Sequence, residues 1–341
     1  MNRKITIIFM VLVFSILVLS GCASNSELTV DKKIVRVSHG HPANHPIDIA
    51  AHDFADYINE RLGDKFSVEV YGNGLLGDTK NALELTQTGA IDYVIASTSN
   101  LEAYNKQYGM FSVPYLFSGK EAFIDFMDSD VIEQMYLSTE PSGFIATTWF
   151  DAGVRSFYAN KPIKTPADMK GMKIRVQPSP LNVAMIRALD AGAVPMAYGE
   201  VYTALQQGTI DGAENNEMAL TTVKHGEVAK YYSYDMHQIQ PDILVVNAKF
   251  LESLTPEERK VFDEATQLAH ETELEAWDEQ VRKAKEIAET QMGVTFVEAD
   301  VAAFQEATKS VLEDFLKENP EVQIFYEEIK RINESLSSTN N

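Results

Sequence analysis

The first part of the chain alternates between strand-like and helix-like hydrophobic patterns. Residues 34–38 alternate apolar and polar with a period of two, which is typical of a strand with one buried face. Apolar residues then recur at helical spacing from Pro46 to Gly63, and a strand, a helix and a third strand follow up to Ser97. This order predicts an α/β layer of mainly parallel strands, with ligand-binding loops at the carboxyl ends of the strands.

The segment 171–180 predicts a strand that leads directly into a helix. Lys173, Arg175 and Gln177 alternate with apolar residues, and the Ser-Pro pair that follows is typical of a helix N-terminus. A guanidinium group and the free backbone N–H groups of a helix N-terminus can bind the same carboxylate. We therefore predict an anion-binding site at Arg175 and interpret the rest of the chain as its scaffold.

The remaining pattern predicts a second α/β unit and one very long helix. Thr255 and Glu258 form a capping box, and the next residue that would break a helix is Gly293. A helix of about 37 residues would be ~55 Å long. That length exceeds one domain, so we expect the helix to brace two. The expected parts are a leader (1–22), a linker (23–33), domain I (34–152 plus 241–280), domain II (153–240 plus 281–332) and a disordered tail (333–341).

The N-terminus has the pattern of an export signal. Arg3 and Lys4 precede an apolar run over residues 5–19, and Leu-Ser-Gly-Cys ends at Cys22. Small residues before a cysteine resemble the motif that the lipoprotein signal peptidase cleaves. An uncleaved anchor helix is the alternative, but the apolar run is shorter than the ~20 residues that a membrane span needs. We predict a protein outside the cytoplasm, held on the outer face of the cytoplasmic membrane by a lipid on Cys22. In a double-membrane cell this space is the periplasm.

The charge of the chain limits its partners. The formal net charge is −21 at pH 7, which argues against nucleic acid and against an anionic membrane surface as binding partners. An anionic ligand must therefore be held by local, desolvated arginines. Cys22 is the only cysteine, so no disulfide can form within the chain and a thiol nucleophile is not expected. We expect a monomer.

Arg155 and Arg175 are the candidate anion ligands, on two different predicted strands. The alternative for each is a surface ion pair, since 50 acidic residues are available. Glu214, Asn215 and Asn216 end another strand, where they would form either the floor of a site or a polar turn. The pattern alone leaves both interpretations open.

His39, His41 and His45 lie close together in the sequence and invite comparison with a metal site. Zinc sites usually add cysteine or carboxylate ligands at closed spacings, and no such cluster is visible in the sequence. A hydrogen-bonding rim is therefore favoured, and neither a metal nor a cofactor is expected. Tyr198 is interpreted either as a core residue or as a ring on which a sugar face stacks.

At these residues the sequence resembles the solute-binding proteins of tripartite ATP-independent periplasmic (TRAP) transporters, the DctP-type family. The resemblance covers nearly the whole chain after the leader and depends on the order and spacing of many short motifs. These motifs are residues 76–78, 113–117, 153–155, 162–163, 169–176, 195–196, 199–202, 204–206 and 211–215. The resemblance implies two α/β domains around a ligand cleft, joined by strands and a long helix, that close on a ligand without catalysis.

The resemblance also implies roles for individual residues. Arg175 matches the family arginine that binds the ligand carboxylate, Arg155 supports it from the neighbouring strand, and Asn215 bonds the ligand beside it. Tyr198 falls where family members often place an aromatic ring against the ligand.

Within the family, some segments look more like one branch than another. Ser97 and Asn100 stand where the sialate-binding branch has a carboxylate and a second basic residue, so sialate is not favoured. The segments 175–180 and 211–216 and the loop around His41 look more like the branch that binds hexuronates and related sugar acids.

The favoured function is a receptor that captures a hexuronate, such as glucuronate or galacturonate, and passes it to the membrane subunits of a TRAP transporter. Polar groups are expected to reach the rest of the ligand. These further expected contacts are His41, Asp78, Ser97, Gln177, Glu214 and Asn216.

Two other functions stay open at the level of the sequence. A C4-dicarboxylate or another organic acid would need a second cation, for which Lys80 and Lys106 are the nearest candidates. An anchored extracellular carbohydrate enzyme would use Glu214 and Asp151 as acid and base. No catalytic motif accompanies that pair in the sequence, so we do not predict an enzyme.

Overall fold

The structure, a computed structural model, describes residues 32–339. The predicted leader, the lipid site at Cys22 and the linker up to residue 31 lie outside the described residues. Within the part that is described, no helix is both long enough and apolar enough to cross a membrane.

The described residues form nine strands in one hydrogen-bonded sheet. They are β1 (Lys33–Ser38), β2 (Phe66–Tyr71), β3 (Tyr93–Ser97), β4 (Phe144–Ala159), β5 (Lys173–Val176), β6 (Gly192–Pro195), β7 (Gly212–Asn215), β8 (Tyr231–Asn247) and β9 (Thr295–Glu298). Their order is β2-β1-β3-β8-β4-β7-β5-β6, with β9 paired to β8. β1 is parallel to β2 and β3, and β5 is parallel to β6 and β7. We call the half around β1–β3 the first lobe and the half around β5–β7 the second lobe.

β4 and β8 connect the two lobes. They are 16 and 17 residues long and pair antiparallel with each other. β8 also pairs with β3 in the first lobe, and β4 also pairs with β7 in the second. The register of the β4–β8 pair shifts between Asp151 and Val154 and again between Arg155 and Phe157. Because such bulges bend and twist a strand, the crossover between the lobes lies at these residues.

Helices cover both faces of this sheet. The α-helices of the described residues are α1 (Pro46–Leu62), α2 (Thr79–Thr88), α3 (Thr98–Leu101), α4 (Lys120–Met127), α5 (Ile132–Leu137), α6 (Pro180–Ala188), α7 (Val201–Gln206), α8 (Met218–Thr222), α9 (His225–Val228), α10 (Ala248–Glu252), α11 (Pro256–Thr290), α12 (Val301–Glu318) and α13 (Gln323–Thr339). Short 3-10 helices span Lys106–Ser112, Glu140–Ser142, Pro166–Met169, Tyr198–Glu200 and Pro320–Val322.

The long helix α11 braces the molecule as predicted. It begins at the predicted capping box, in which the Thr255 hydroxyl accepts from the Glu258 N–H at 3.2 Å and the Glu258 carboxylate accepts from the Thr255 N–H at 3.0 Å. Its 35 residues pack against α1 and β4 in the first lobe and against α8 in the second. The predicted fold class, two α/β lobes spanned by a long helix, is therefore confirmed.

The C-terminal end differs from the prediction. α13 extends to Thr339, so most of the segment expected as a disordered tail (333–341) is helical. Its Phe325, Ile329 and Ile332 recur at helical spacing and are buried in the same core as Phe123 of α4. The sequence analysis assigned residues 281–332 to domain II, but these α13 residues pack on the first lobe.

β8 also begins earlier than expected. An apolar run indicates a strand only over residues 242–247, whereas β8 begins at Tyr231 and includes Asp235, His237 and Gln238. These side chains are nevertheless buried, since each has a partner inside the protein. The Gln238 amide, for example, donates to the Ser112 carbonyl.

Candidate ligand-binding site

A cavity of about 340 Å³ lies between the two lobes. It is lined by residues that follow β1, end β3 and follow β5, as expected for a site at the carboxyl ends of strands. Nine of the ten residues predicted to bind a ligand line it: His41, Asp78, Ser97, Arg155, Arg175, Gln177, Tyr198, Asn215 and Asn216. The exception is Glu214.

Arg175 places a buried guanidinium on the wall of this cavity. The residue is 2% exposed. Its Nε and Nη2 both donate to the Met196 carbonyl, at 3.1 and 2.8 Å, whereas Nη1 has no hydrogen-bond partner among the described residues. Burial lowers the pKa of Arg175. A ligand carboxylate at Nη1 would satisfy the remaining donor and offset the burial of the charge.

Arg155 is also buried at the cavity but already has a counterion. Its Nε donates to the Glu214 carboxylate, and its Nη2 donates to the Glu214 carbonyl at 3.0 Å. Its Nη1 donates to the Asn215 amide oxygen at 3.0 Å. Burial alone would lower the pKa of Arg155, but the Glu214 charge outweighs it and raises the pKa. Arg155 therefore adds positive charge to the wall and orients Asn215.

Glu214 does not take the role of ligand contact that the sequence suggested. It is fully buried and does not line the cavity, because its carboxylate is held by Arg155 and lies 3.7 Å from His237. Burial would raise the pKa of Glu214, but these two cations outweigh it and lower the pKa to about 2.

His237 is a buried cation between two carboxylates, those of Glu214 and Asp235. Its Nδ1 lies 2.8 Å from the Asp235 carboxylate. Burial would lower the pKa of His237, but Asp235 and Glu214 outweigh it and raise the pKa to about 9. Positive and negative groups thus alternate through Arg155, Glu214, His237 and Asp235, which we call the charge row.

Asn215 and Asn216 lie at the end of β7 and differ in their roles. Asn215 lines the cavity, with its amide oxygen fixed by Arg155 and by the Asn216 N–H at 2.9 Å. The Asn216 amide donates to the Ala152 carbonyl at 2.8 Å, and its oxygen accepts from the Met218 N–H at 3.0 Å. Both polar atoms of Asn216 are engaged with backbone, so this residue joins elements at the cavity edge rather than selecting ligand hydroxyl groups.

Gln177 connects the lobes across the cavity. Its amide nitrogen donates to the Ser97 hydroxyl at 2.9 Å, and its amide oxygen accepts from the Ser99 hydroxyl at 3.0 Å. Asp78 lies at the exposed rim, where it caps α2 by accepting from the Asn81 N–H at 2.9 Å. Ser97 and Gln177 therefore face each other, and Asp78 is available at the entrance.

His41 faces the cavity with a partner that the sequence did not reveal. Its Nε2 lies 2.7 Å from the Asp242 carboxylate. Asp242 lies on β8 opposite Ser97 of β3 and is 6% exposed. Trp277 of α11 lines the cavity as well. Sequence reasoning missed both residues; for Asp242, an acidic residue between Pro241 and a strongly apolar run was the available signal.

The other two histidines of the predicted rim are buried, and of these His45 lines the cavity whereas His39 does not. The His45 side chain accepts from the Ile47 N–H and so caps α1. His39 lies 3.4 Å from Asp48. Burial lowers the pKa of His39 to about 3 and that of His45 well below its usual value. Within residues 32–339 no group of three or more His, Cys, Asp or Glu side chains is placed to hold a metal ion.

The residues considered for the alternative functions lie mostly away from the cavity. Asp151 forms an ion pair with a lysine at 3.1 Å, and neither it nor Glu214 lines the cavity, so they are not an acid–base pair there. Lys80 reaches the rim, but its side chain is 74% exposed and lies 3.8 Å from Glu84. Lys106 does not line the cavity.

The chain is similar in sequence and in fold to known solute-binding proteins. The chain matches the family described as bacterial extracellular solute-binding protein, family 7 (DctP), over residues 37–319. A TRAP periplasmic solute-binding protein from Anaerococcus prevotii, crystallised with bound α/β-D-glucuronate, is 46% identical, with a TM-score of 0.88 and coverage of 89% of this chain and 99% of that one. A TRAP periplasmic solute-binding protein from Sulfitobacter sp., crystallised with β-D-galacturonate, is 32% identical, with a TM-score of 0.85 and coverage of 88% and 100%. The uncharacterised protein YiiZ of Salmonella typhimurium is 41% identical over 287 residues, which are 84% of this chain and 88% of that protein.

Proposed function

The chain belongs to bacterial extracellular solute-binding protein family 7, the DctP family, and on this premise we propose that it captures a hexuronate for uptake by a TRAP transporter. Proteins of this family are receptors outside the cytoplasm rather than enzymes.

The free donor of Arg175 carries the proposal. Nη1 of this buried side chain has no hydrogen-bond partner among the described residues, and Arg175 is one of the residues that line the cavity. A carboxylate would accept from Nη1, and exclusion of water would strengthen the pairing. Two related structures with bound glucuronate and galacturonate, both of them hexuronates, support this ligand class.

The rest of the cavity wall suits hydroxyl groups better than a second carboxylate. The wall offers groups that can form hydrogen bonds with hydroxyls: the Ser97 hydroxyl, the Asn215 amide, the Asp242 carboxylate and the His41 imidazole. A C4-dicarboxylate would need a second buried cation, whereas Arg155 is paired with Glu214 and the lysine at the rim is exposed. A single-ring sugar acid is therefore favoured over a dicarboxylate.

Binding would be coupled to closure of the two lobes. Arg175 and Asn215 belong to the second lobe, while Ser97 and His41 belong to the first, so a ligand that contacts both sets favours the state in which the lobes lie together. The contact of Gln177 with Ser97, at 2.9 Å, would form in that state. The bulges of β4 and β8 at residues 151–157 are the proposed hinge.

Calorimetric titration of the chain without its leader tests the ligand. We expect D-glucuronate or D-galacturonate to bind more tightly than succinate. Arg175→Lys should weaken hexuronate binding by about 100-fold, because a compact ammonium group cannot reproduce the planar guanidinium, which bonds the Met196 carbonyl through Nε and Nη2 and leaves Nη1 for the ligand, and a buried charged hydrogen bond is worth about 1.5–3 kcal/mol. Arg187→Lys, the same change at an exposed position of α6, should bind like the parent. A parent protein that binds neither hexuronate would contradict the proposal, as would Arg175→Lys with the affinity of the parent.

The lipid anchor and the membrane partner are part of the same proposal. A lipid on Cys22 would tether a monomeric receptor to the outer face of the cytoplasmic membrane, where the TRAP permease subunits would receive the ligand. Labelling of cells with radioactive palmitate should mark the full-length protein and fail to mark Cys22→Ser. Equal labelling of both would contradict the anchor but not the ligand.

A further inference from the structure

On the first-lobe side of the cavity, Asp242 presents a buried carboxylate to the space that also holds the Arg175 guanidinium. We propose that Asp242, oriented by His41, is the specificity-determining residue of this site. Its carboxylate accepts hydrogen bonds from the hydroxyl groups of the sugar and rejects acids that carry a second carboxylate. This inference rests on the proposed function.

The position of Asp242 is fixed by its surroundings. Its backbone lies in β8 between two neighbouring strands, opposite Ser97 of β3 and Phe150 of β4. One carboxylate oxygen, Oδ2, lies 2.7 Å from His41 Nε2, so this contact leaves Oδ1 free, and the residue lines the cavity.

The His41 ring is itself held in place. It stacks on the His45 ring at 4.2 Å between centroids, and the backbone N–H of His41 donates to His39 Nδ1 at 3.3 Å. Because His41 cannot swing away freely, it fixes the direction in which Asp242 presents its free oxygen.

The charge of Asp242 makes this oxygen selective. Hydrogen bonds from hydroxyl groups to an ionised carboxylate are short and strong. A second carboxylate on a ligand has no proton to donate, and it would face a like charge where little water screens the repulsion. Specificity of this kind depends on the repulsive contact as much as on the attractive one. With Arg175 in the second lobe and Asp242 in the first, the cavity matches a ligand with one carboxylate and several hydroxyl groups.

The other carboxylates that line the cavity do not have this property. Asp78 and Glu200 are both exposed, so water and salt screen their charges. Among the described residues that line the cavity, Asp242 is therefore the acidic group whose charge acts at short range on a bound ligand.

The test compares hexuronates with diacids. The parent chain and Asp242→Asn are titrated calorimetrically with D-glucuronate, D-galacturonate, succinate and D-galactarate, a hexaric acid with carboxylates at both ends. We expect Asp242→Asn to bind hexuronates at least tenfold more weakly and the diacids at least tenfold more tightly than the parent. Asp56→Asn makes the same change at an exposed position of α1 and should leave all four affinities unchanged.

The outcomes separate this inference from the proposed function. If the parent binds a hexuronate and Asp242→Asn keeps the parent's preference for it over the diacids, the inference is wrong and the proposed function stands. If the parent binds no hexuronate, both are wrong. Should Asp242→Asn fail to fold, His41→Gln replaces it as the decisive variant. It keeps the charge but loses the orienting ring, so hexuronate binding should weaken at least tenfold without a gain for the diacids; unchanged hexuronate binding would overturn the inference.

Discussion

Two buried arginines share one cavity, and what distinguishes them is whether the chain supplies a carboxylate. Arg155 is neutralised by Glu214, and the charge row continues through His237 to Asp235, so its two positive and two negative groups balance. Within residues 32–339, Arg175 donates to the Met196 carbonyl and lies over the Tyr198 ring, but no carboxylate pairs with it. The proposed anion site thus depends on one desolvated cation without a paired carboxylate, despite a formal net charge of −21.

Glu214→Gln should destabilise the protein strongly. The substitution removes the carboxylate that pairs with Arg155 and lies beside His237, and breaking a buried ion pair costs about 3–5 kcal/mol. Glu84→Gln is the matched control, because Glu84 is half exposed and only distantly paired with Lys80; its effect should stay within about 0.5 kcal/mol. Urea denaturation at neutral pH measures both. Equal unfolding free energies for the two variants would mean that the charge row does not stabilise the fold.

At the scale of elements, β4, β7 and α11 meet at the bulge around Gly153. This glycine has φ = +71°, and a Cβ added to it would lie 3.0 Å from Asn216 Cβ and 3.0 Å from Trp277 Cζ2. Both neighbours line the cavity. The bend of β4 therefore fixes how closely the long helix approaches the ligand.

Gly153→Ala should lower both stability and ligand affinity. A left-handed backbone costs a non-glycine residue about 1–2 kcal/mol, and here the methyl group must also displace Trp277 or Asn216. Gly171→Ala separates the two effects, since Gly171 has φ = +74° but no atom within 4 Å of an added Cβ. We expect Gly171→Ala to lose stability only, and Gly153→Ala to lose more stability and also bind hexuronate more weakly. Identical behaviour of the two variants in denaturation and calorimetry would contradict this role of the bulge.

Helix ends could be predicted from the sequence where the capping residues lie next to the helix in the chain. The capping box at Thr255 marked the start of α11. The ends of α2 carry local signals of the same kind, an N-cap at Asp78 and, at Gly89, a C-cap glycine with φ = +78°. The first half of β8 could not be predicted, because its buried polar residues have partners far away in the sequence. Asp235, for example, accepts from the Phe157 N–H at 3.0 Å.

At the site, too, residues marked by nearby sequence signals could be predicted, and residues that depend on distant partners could not. A strand that leads into a capped helix indicated Arg175, because those signals lie within a few residues of it. Asp242 and Trp277 reach the cavity only through the pairing of β8 with β3 and the packing of α11 across both lobes. The acidic residue before an apolar run marks Asp242 as unusual, but no pattern within either segment says that Asp242 or Trp277 reaches the cavity.

The whole molecule buries histidines in two opposite protonation states. Burial lowers the pKa of His39 and of His225 to about 3, so both are neutral in the folded protein at neutral pH. His237 is the opposite case, since its carboxylate partners outweigh burial and raise its pKa to about 9. Their contributions to stability therefore change in different pH ranges.

We expect the unfolding free energy to decrease on both sides of about pH 6.5, the ordinary histidine pKa. Below about pH 6.5 the histidines of the unfolded chain become protonated, whereas His39 and His225 of the folded protein stay neutral down to about pH 3. The unfolded state therefore binds more protons, and the unfolding free energy decreases as the pH falls. Glu214, with a folded pKa of about 2, adds a further loss once the pH drops below the ordinary glutamate value. Above about pH 6.5 the contribution of His237 is lost progressively as the pH rises towards its folded pKa of about 9.

Urea denaturation over this range, with two histidine variants, checks the assignment. His225→Gln should lose stability at neutral pH, because the Tyr158 hydroxyl lies 2.8 Å from the His225 ring, but its stability should fall less steeply below about pH 6.5. His52→Gln alters a side chain that is 57% exposed and should keep the slope of the parent. If the parent were equally stable at pH 6.5 and 5, or if both variants kept its slope, the buried neutral histidines would not govern acid stability.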